Sequence, residues 1–185
     1  MIRDSVAKAG LPALASESLI MQAHALALGN EPSACGRALN AAEQAFERSG
    51  TADAPQWLSY FDEAYMAAKF GHCFRELGQG GKAEHFARRS LNMVDGYVRG
   101  RTFNVVLLAN AQLQQQDLDA ACATGNQAID LGSGLQSART IKYIRDLRRR
   151  MSKFNTESVV SDFQARAHEL LAASDPRPSN RGHAA

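Results

Sequence analysis

No proline interrupts the chain between Pro55 and Pro176, and alanine greatly outnumbers the residues that favour strands. The sequence has 32 alanines against 17 valines, isoleucines and threonines together. Alanine favours helix, proline breaks it, and β-branched residues favour sheet. The sequence therefore predicts an all-α fold.

Clusters of glycine and proline mark the turns between helices. Between them lie segments with an apolar stripe on one side, which must pack against a neighbour. Residues 174–185 hold almost no large apolar side chain and are predicted to be a disordered tail after a helical domain of residues 1–173. The predicted helices are 13–28, 32–48, 56–77, 81–95, 101–115, 117–130, 134–153 and 156–173.

The totals exclude several classes of protein. A net charge of +2 excludes a chain dominated by a strongly basic nucleic-acid-binding arm. It equally excludes a chain dominated by an acidic, solvating tail. No stretch approaches the roughly 18 apolar residues of a membrane-spanning helix, and the first residues carry charges instead of an apolar signal core. The three cysteines form no CxxC pair, so neither a disulfide framework nor a zinc site is indicated. We therefore predict a cytoplasmic protein without membrane contact.

A pattern of small and large residues recurs along the chain. In its clearest copy, Gly71, Ala83 and Ala87 leave room for two helices to approach closely, while Phe70 and Phe74 fill the space beside them. A single helix pair cannot bury its apolar face, so the pairs are predicted to stack, with the first helix of each pair lining a concave surface. The alternative is a plain helical bundle with coincidental alanines. A second copy comprises Val105, Leu108, Ala109, Gln112, Gln116, Ala121, Gly125 and Ala128, and a looser one comprises Met21, Gln22, Ala25, Gly29, Ala34, Ala38 and Ala41.

These small and large residues fall at the packing positions of a tetratricopeptide repeat (TPR). Over about residues 11–170 the chain resembles the TPR sensor region of actinobacterial, Streptomyces-type transcriptional regulators of the XRE family. The resemblance implies a right-handed α-α superhelix of about four TPR-like helix pairs that binds a peptide or protein segment in its groove. In that family a helix-turn-helix domain precedes the repeats. Here none precedes them, so the resemblance implies DNA binding only through a missing or separate helix-turn-helix domain. The resemblance to this family depends on the segments 57–62, 71–78, 83–91, 100–104 and 119–122, together with Gly125 and Ala128.

Signals of catalysis are scarce. The sequence contains no GxSxG, HExxH, Walker or GxGxxG motif. The glycines of segment 78–81 are interpreted as a turn between two helices, because no strand precedes them. His72 and Cys73 are neighbours on a helix and point about 100° apart, so they cannot act as a base and nucleophile pair. We predict a protein that is not an enzyme and has no cofactor or metal.

The register of the repeats predicts which side chains face the groove. Asn110 stands out because it is polar on an otherwise apolar face, and its amide could bond to the backbone of a peptide. A structural role for Asn110 between helices is an equally open alternative. For His72 and Arg75, the alternative is exposure without function. The predicted binding residues of the first helices are Tyr65, His72, Arg75, Phe103, Val106, Asn110 and Gln114.

The segment 139–153 carries seven basic residues relieved only by Asp146. A stripe of Arg139, Lys142, Arg145 and Arg149 is predicted along its helix, where it could hold a carboxylate, an acidic partner or a nucleic-acid backbone. Nucleic acid ranks last because aromatic residues are scarce there. The alternative is a solvated face whose arginine stems cover apolar neighbours.

Two main hypotheses follow. The first is a non-catalytic peptide- or protein-binding domain, the sensor or interaction part of a bacterial transcriptional regulator. The second is a self-associating scaffold, as a homodimer or a longer chain, in which the acidic first part of one copy docks on the basic remainder of another. Residues 1–66 hold four basic and eight acidic residues, whereas residues 67–185 hold 17 and 11.

Overall fold

The computed structural model describes residues 12–48, 56–135 and 137–174, which contain α-helices, two 3-10 turns and no strand. The prediction of an all-α fold is confirmed. From residue 175 onward, the predicted tail lies outside the described residues. The helices are α1 (Pro12–Leu28), α2 (Pro32–Glu47), α3 (Glu63–Glu76), α4 (Gly80–Ser90), α5 (Val98–Gln114), α6 (Leu118–Ser133), α7 (Ala138–Met151) and α8 (Ser158–Ser174), and the 3-10 turns are Gln56–Leu58 and Ser152–Phe154.

The helices pack as successive pairs whose first members are neighbours. Helices α1 and α2, α3 and α4, α5 and α6, and α7 and α8 pack together, while α1 packs on α3, α3 on α5 and α5 on α7. Helices α4 and α5 connect the second pair to the third, and α6 packs against α8. This order of contacts places α3, α5 and α7 side by side. The right-handed, TPR-like superhelical form of the stack stays a prediction.

The core continues along the stack in two large apolar clusters. One is built from α1 to α3 with the loop before α3, and the other from α5 to α8. Ala87 of α4 and Leu107 and Leu108 of α5 form a smaller cluster between them. Phe163 of α8 has no exposed surface and is the largest fully buried side chain among the described residues. Cys73 and Cys122 are also buried and carry free thiols.

Glycines allow close contact at the positions that the repeat pattern singled out. A Cβ atom on Gly71 would lie 3.0 Å from a Leu107 methyl group and 3.4 Å from the backbone of α4. On Gly125 of α6, a Cβ atom would lie 2.7 Å from the Phe163 ring. A side chain at Gly125 would therefore displace the Phe163 ring, and one at Gly71 would require Leu107 to move by a few tenths of an ångström.

Two helix boundaries differ from the prediction. The predicted helix 56–77 is divided, because Asp62 adopts an extended backbone and caps α3 by accepting a hydrogen bond from Tyr65 N at 2.7 Å. The predicted helix 81–95 ends at Ser90, and α5 begins at Val98. Gly96 lies between these two helices in the left-handed region, at φ +93°. The predicted turn at the glycines of segment 78–81 is confirmed, with Gly78 at φ +69°.

Candidate functional site

A trough runs along the neighbouring helices α3, α5 and α7. It consists of three clefts in line, which we name the aromatic cleft, the central basic cleft and the outer basic cleft. Arg139 and Tyr143 line both the aromatic and the central basic cleft, while Asn110 and Arg150 line both basic clefts. Gln114 and Arg75 meet near the C-terminal ends of α5 and α3, and Phe103 and Arg139 meet near the N-terminal ends of α5 and α7, so the three helices run in the same direction. The aromatic cleft therefore lies towards their N-terminal ends and the basic clefts towards their C-terminal ends.

The aromatic cleft has a volume of about 360 Å³. Its walls come from α3, α5, α7, the loop before α3 and the loop that joins α4 to α5. That loop contributes Val94 and Tyr97, which are 79% and 66% exposed. The cleft therefore offers rings and apolar side chains that are still accessible. Its lining is Tyr60, Asp62, Ala64, Tyr65, Ala68, Lys69, His72, Met93, Val94, Tyr97, Gly100, Phe103, Asn104, Arg139 and Tyr143.

A carboxylate of α1 fixes one side of the aromatic cleft. Glu17 accepts hydrogen bonds from the hydroxyl groups of Tyr60 at 3.0 Å and Tyr65 at 3.1 Å. The two rings meet edge to face with centroids 5.3 Å apart. Burial and the Glu17 carboxylate raise the pKa of Tyr65, so its hydroxyl stays protonated and keeps donating. The tyrosine wall is therefore held in place before any ligand arrives.

Arg139 marks the border between aromatic and basic surface. Its guanidinium lies 4.9 Å from the Phe103 ring centroid and 5.7 Å from that of Tyr143, and the two rings are 5.1 Å apart. Cation–π contacts of this kind hold a charged side chain against an apolar wall.

The central basic cleft has a volume of about 350 Å³. Three helices contribute to it, and Asp146 is its one acidic residue. The Nε of Arg75 is buried without a hydrogen-bond partner among the described residues, although its Nη2 donates to Glu76. The lining is Arg75, Asn110, Arg139, Lys142, Tyr143, Asp146 and Arg150.

Asn110 is the most unusual polar side chain in the trough. It is only 5% exposed and lines both basic clefts. Its Nδ2 donates to the carbonyl oxygen of Val106 at 2.8 Å, within the same helix. Because that oxygen can only accept, the bond identifies which amide atom is the nitrogen. Oδ1 has no hydrogen-bond partner in the part of the chain that the structure describes. A buried acceptor without a donor is costly, so this atom is suited to a donor on a ligand.

The outer basic cleft has a volume of about 280 Å³ and is lined by Asn110, Leu113, Gln114, Arg149, Arg150 and Lys153. Gln114 is exposed but not free, because its Nε2 donates to the carbonyl oxygen of Arg75 at 2.7 Å. This bond joins α5 to α3 at the floor of the trough. Gln114 therefore has a structural contact in addition to its predicted place in the groove.

His72 is partly buried in the wall of the aromatic cleft. Burial lowers its pKa to about 3, with a further contribution from the positive charge of Arg75 and other nearby cations. His72 is therefore neutral at physiological pH. The expectation of simple exposure for His72 and Arg75 is wrong, since both are partly buried between helices.

The structure brings most of the predicted binding residues together. Nine of them line the trough: Tyr65, His72, Arg75, Phe103, Asn110, Gln114, Arg139, Lys142 and Arg149. Val106 does not, because it is 1% exposed and packs in the core of α5 to α8. Arg145 is exposed but lines none of the three clefts. Whether any of these residues binds a ligand stays a prediction.

Three of the four residues of the predicted stripe on α7 line the trough, and Arg145 is the exception. Each residue turns an α-helix by about 100°, so Arg145 lies about 120° around the axis from Arg139, whereas Arg150 lies about 20° from it. Arg150 and Lys153 therefore join the trough in place of Arg145. A count of full helical turns from Arg139 along segment 139–153 would have placed Arg150 and Lys153 on the same side of the helix as Arg139. The contribution of Met93, Val94 and Tyr97 had no such signal, since Met93 and Val94 were predicted to be helical and Tyr97 to lie in the turn between two helices.

The described residues contain no group of three or more His, Cys, Asp or Glu side chains that could hold a metal ion. Burial raises the pKa of Cys73 to about 12, so this thiol is not poised as a nucleophile. None of the described helices has the length and apolar character needed to cross a bilayer. Comparison of the chain with protein-family models, curated proteins and solved structures finds no match.

Proposed function

We propose that the chain is a non-catalytic, TPR-like domain that binds a peptide or protein segment in the trough between α3, α5 and α7. The observation that carries this proposal is Oδ1 of Asn110, a buried acceptor without a partner at the junction of two clefts. The backbone N–H of a peptide is a donor of the required kind. Neighbouring first helices form the trough, as in the stacked-repeat architecture that the sequence predicts.

The role in a cell is a second part of the proposal. By its resemblance to TPR regions of XRE-family regulators, the domain would act as the sensor or interaction part of a cytoplasmic transcriptional regulator. Contacts of one ligand with α3, α5 and α7 would bias the angles between helix pairs, which an attached domain could read. Self-association and direct nucleic-acid binding stay predictions without a specific structural observation in their favour.

Replacing Asn110 tests the proposal. We expect Asn110→Ala to weaken peptide binding about tenfold, because the ligand loses a buried hydrogen bond, while thermal stability changes little. The probes are fluorescein-labelled octapeptides from a positional-scanning library, and the readout is fluorescence polarisation. Asn40→Ala is the matched control, since Asn40 is exposed on α2 away from the trough. Binders whose affinity is equal for wild type and Asn110→Ala would contradict the proposal.

A further inference from the structure

The trough is chemically different at its two ends. The aromatic cleft presents Tyr65, Phe103 and Tyr143 together with the exposed Val94 and Tyr97. The two basic clefts instead present cations from α3 and α7, opposed by Asp146 alone. A ligand complementary to the whole trough must therefore be apolar at one end and negatively charged at the other.

Most cations of the basic clefts form no ion pair with another described residue. Arg149 pairs with Asp146 at 3.2 Å, and Arg75 pairs with its neighbour Glu76. Within the described residues no carboxylate forms an ion pair with the remaining four, which are Arg139, Lys142, Arg150 and Lys153. Like charges that share one trough repel each other, and an anionic ligand relieves that repulsion.

The spread of these cations indicates more than one negative group. From Lys142 in α7 to Lys153 in the 3-10 turn that follows it, the chain rises about 17 Å along the helix axis. A single carboxylate reaches only one or two cations at hydrogen-bonding distance. Several carboxylates, spaced along an extended segment, match the whole set.

The length of the trough sets the spacing within the ligand. The stretch of α5 from Phe103 to Gln114 rises about 16 Å. An extended chain advances about 3.3 Å per residue, so about five residues reach from the aromatic cleft to the outer basic cleft. The acidic side chains then lie about three to five residues from the apolar one.

Two features favour a peptide over a nucleic acid. Oδ1 of Asn110 needs a donor, which a peptide backbone supplies at every residue except proline, whereas the phosphodiester backbone of a nucleic acid supplies none and its donors lie on the bases or, in RNA, the 2′-hydroxyl groups. The faces of Phe103 and Tyr143 are also in contact with Arg139, which limits the stacking surface left for bases.

We propose that the trough selects an acidic protein segment, with a large apolar side chain in the aromatic cleft and two or more Asp or Glu side chains in the basic clefts. This inference rests on the proposed function and adds the class of partner. The apolar anchor and the acidic positions act together, so a segment with only one of them binds weakly.

Four labelled peptides test this inference by fluorescence polarisation. The first is Gly-Phe-Ser-Gly-Glu-Ser-Glu-Gly-amide with fluorescein on its N-terminal amine, and the second has the same residues in reverse order with the same label, since either chain direction can present this pattern. The third and fourth are variants of whichever binds more tightly, one with glutamine for both glutamates and one with serine for phenylalanine. We expect each variant to bind about tenfold or more weakly than its parent. The parent should lose about tenfold in affinity for Asn110→Ala and almost none for Asn40→Ala.

The outcomes separate this inference from the proposed function. Equal binding of the glutamine variant, or tighter Asn110-dependent binding of neutral or basic library peptides, would overturn the acidic class while leaving a peptide-binding trough. If no peptide binds in an Asn110-dependent manner, both proposals fail. Tighter binding of a single-stranded oligothymidylate than of either parent would assign the basic clefts to nucleic acid and overturn the inference.

Discussion

Replacing Phe163 with alanine is expected to lower the free energy of unfolding by about 3–5 kcal/mol. The ring has no exposed surface, and it lies against α6 at Gly125, which has no side chain of its own to fill the space left behind. The variant therefore loses apolar burial and also leaves a cavity between α6 and α8. Urea denaturation followed by circular dichroism measures the change.

A matched control is available nearby. Phe154 is the same residue type, but it is only partly buried, in the turn before α8. We expect Phe154→Ala to cost clearly less than Phe163→Ala. A loss below about 1 kcal/mol for Phe163→Ala would show that α8 does not pack on α6 as described.

Reversing the charge of Arg150 is expected to lower the affinity for the tighter acidic octapeptide by about 30-fold or more. Arg150 lines both basic clefts and forms no ion pair with any described residue, so Arg150→Glu turns an attraction into a repulsion at the centre of the trough. Isothermal titration calorimetry measures the affinity.

Arg145→Glu is the control for long-range electrostatics. It changes the net charge by the same amount, on the same helix, at an exposed position outside the three clefts. We expect a loss below about threefold, because exposed charges at a distance are screened by salt. Similar losses in both variants would mean that net charge, and not the trough, governs binding. No loss in either would exclude the basic clefts as the site.

The sequence predicts the helices well because their signals are local. Alanine-rich stretches, glycine turns and apolar stripes each act over a few residues, and the structure has a helix in every predicted segment. The Asp62 cap was equally local, since aspartate before Glu63 is a typical start of a helix. It was missed because the apolar pattern of residues 56–77 continues through the break.

The residues of the site were harder to predict, because the exposure of each side chain depends on how many other helices pack against its own helix. Helix α5 packs against α3, α4, α6 and α7, so almost every residue from Asn104 to Leu113 is buried. The spacing of residues along α5 predicts which side of the helix faces the groove and which faces the core. It cannot show that Val106 is buried by neighbouring helices while Asn110 lines two clefts. The loop residues Val94 and Tyr97 enter the aromatic cleft through tertiary packing, for which the local sequence has no signal.

Photocrosslinking tests most directly whether the trough between α3, α5 and α7 is the binding surface. The tighter acidic octapeptide would carry benzoylphenylalanine in place of phenylalanine, and mass spectrometry would locate the adducts after irradiation. We expect crosslinks at the aromatic cleft, above all at Met93, Tyr97 and Phe103, with loss of yield when unlabelled peptide competes. Competable crosslinks confined to α2, α6 or α8 would contradict the trough as the ligand site.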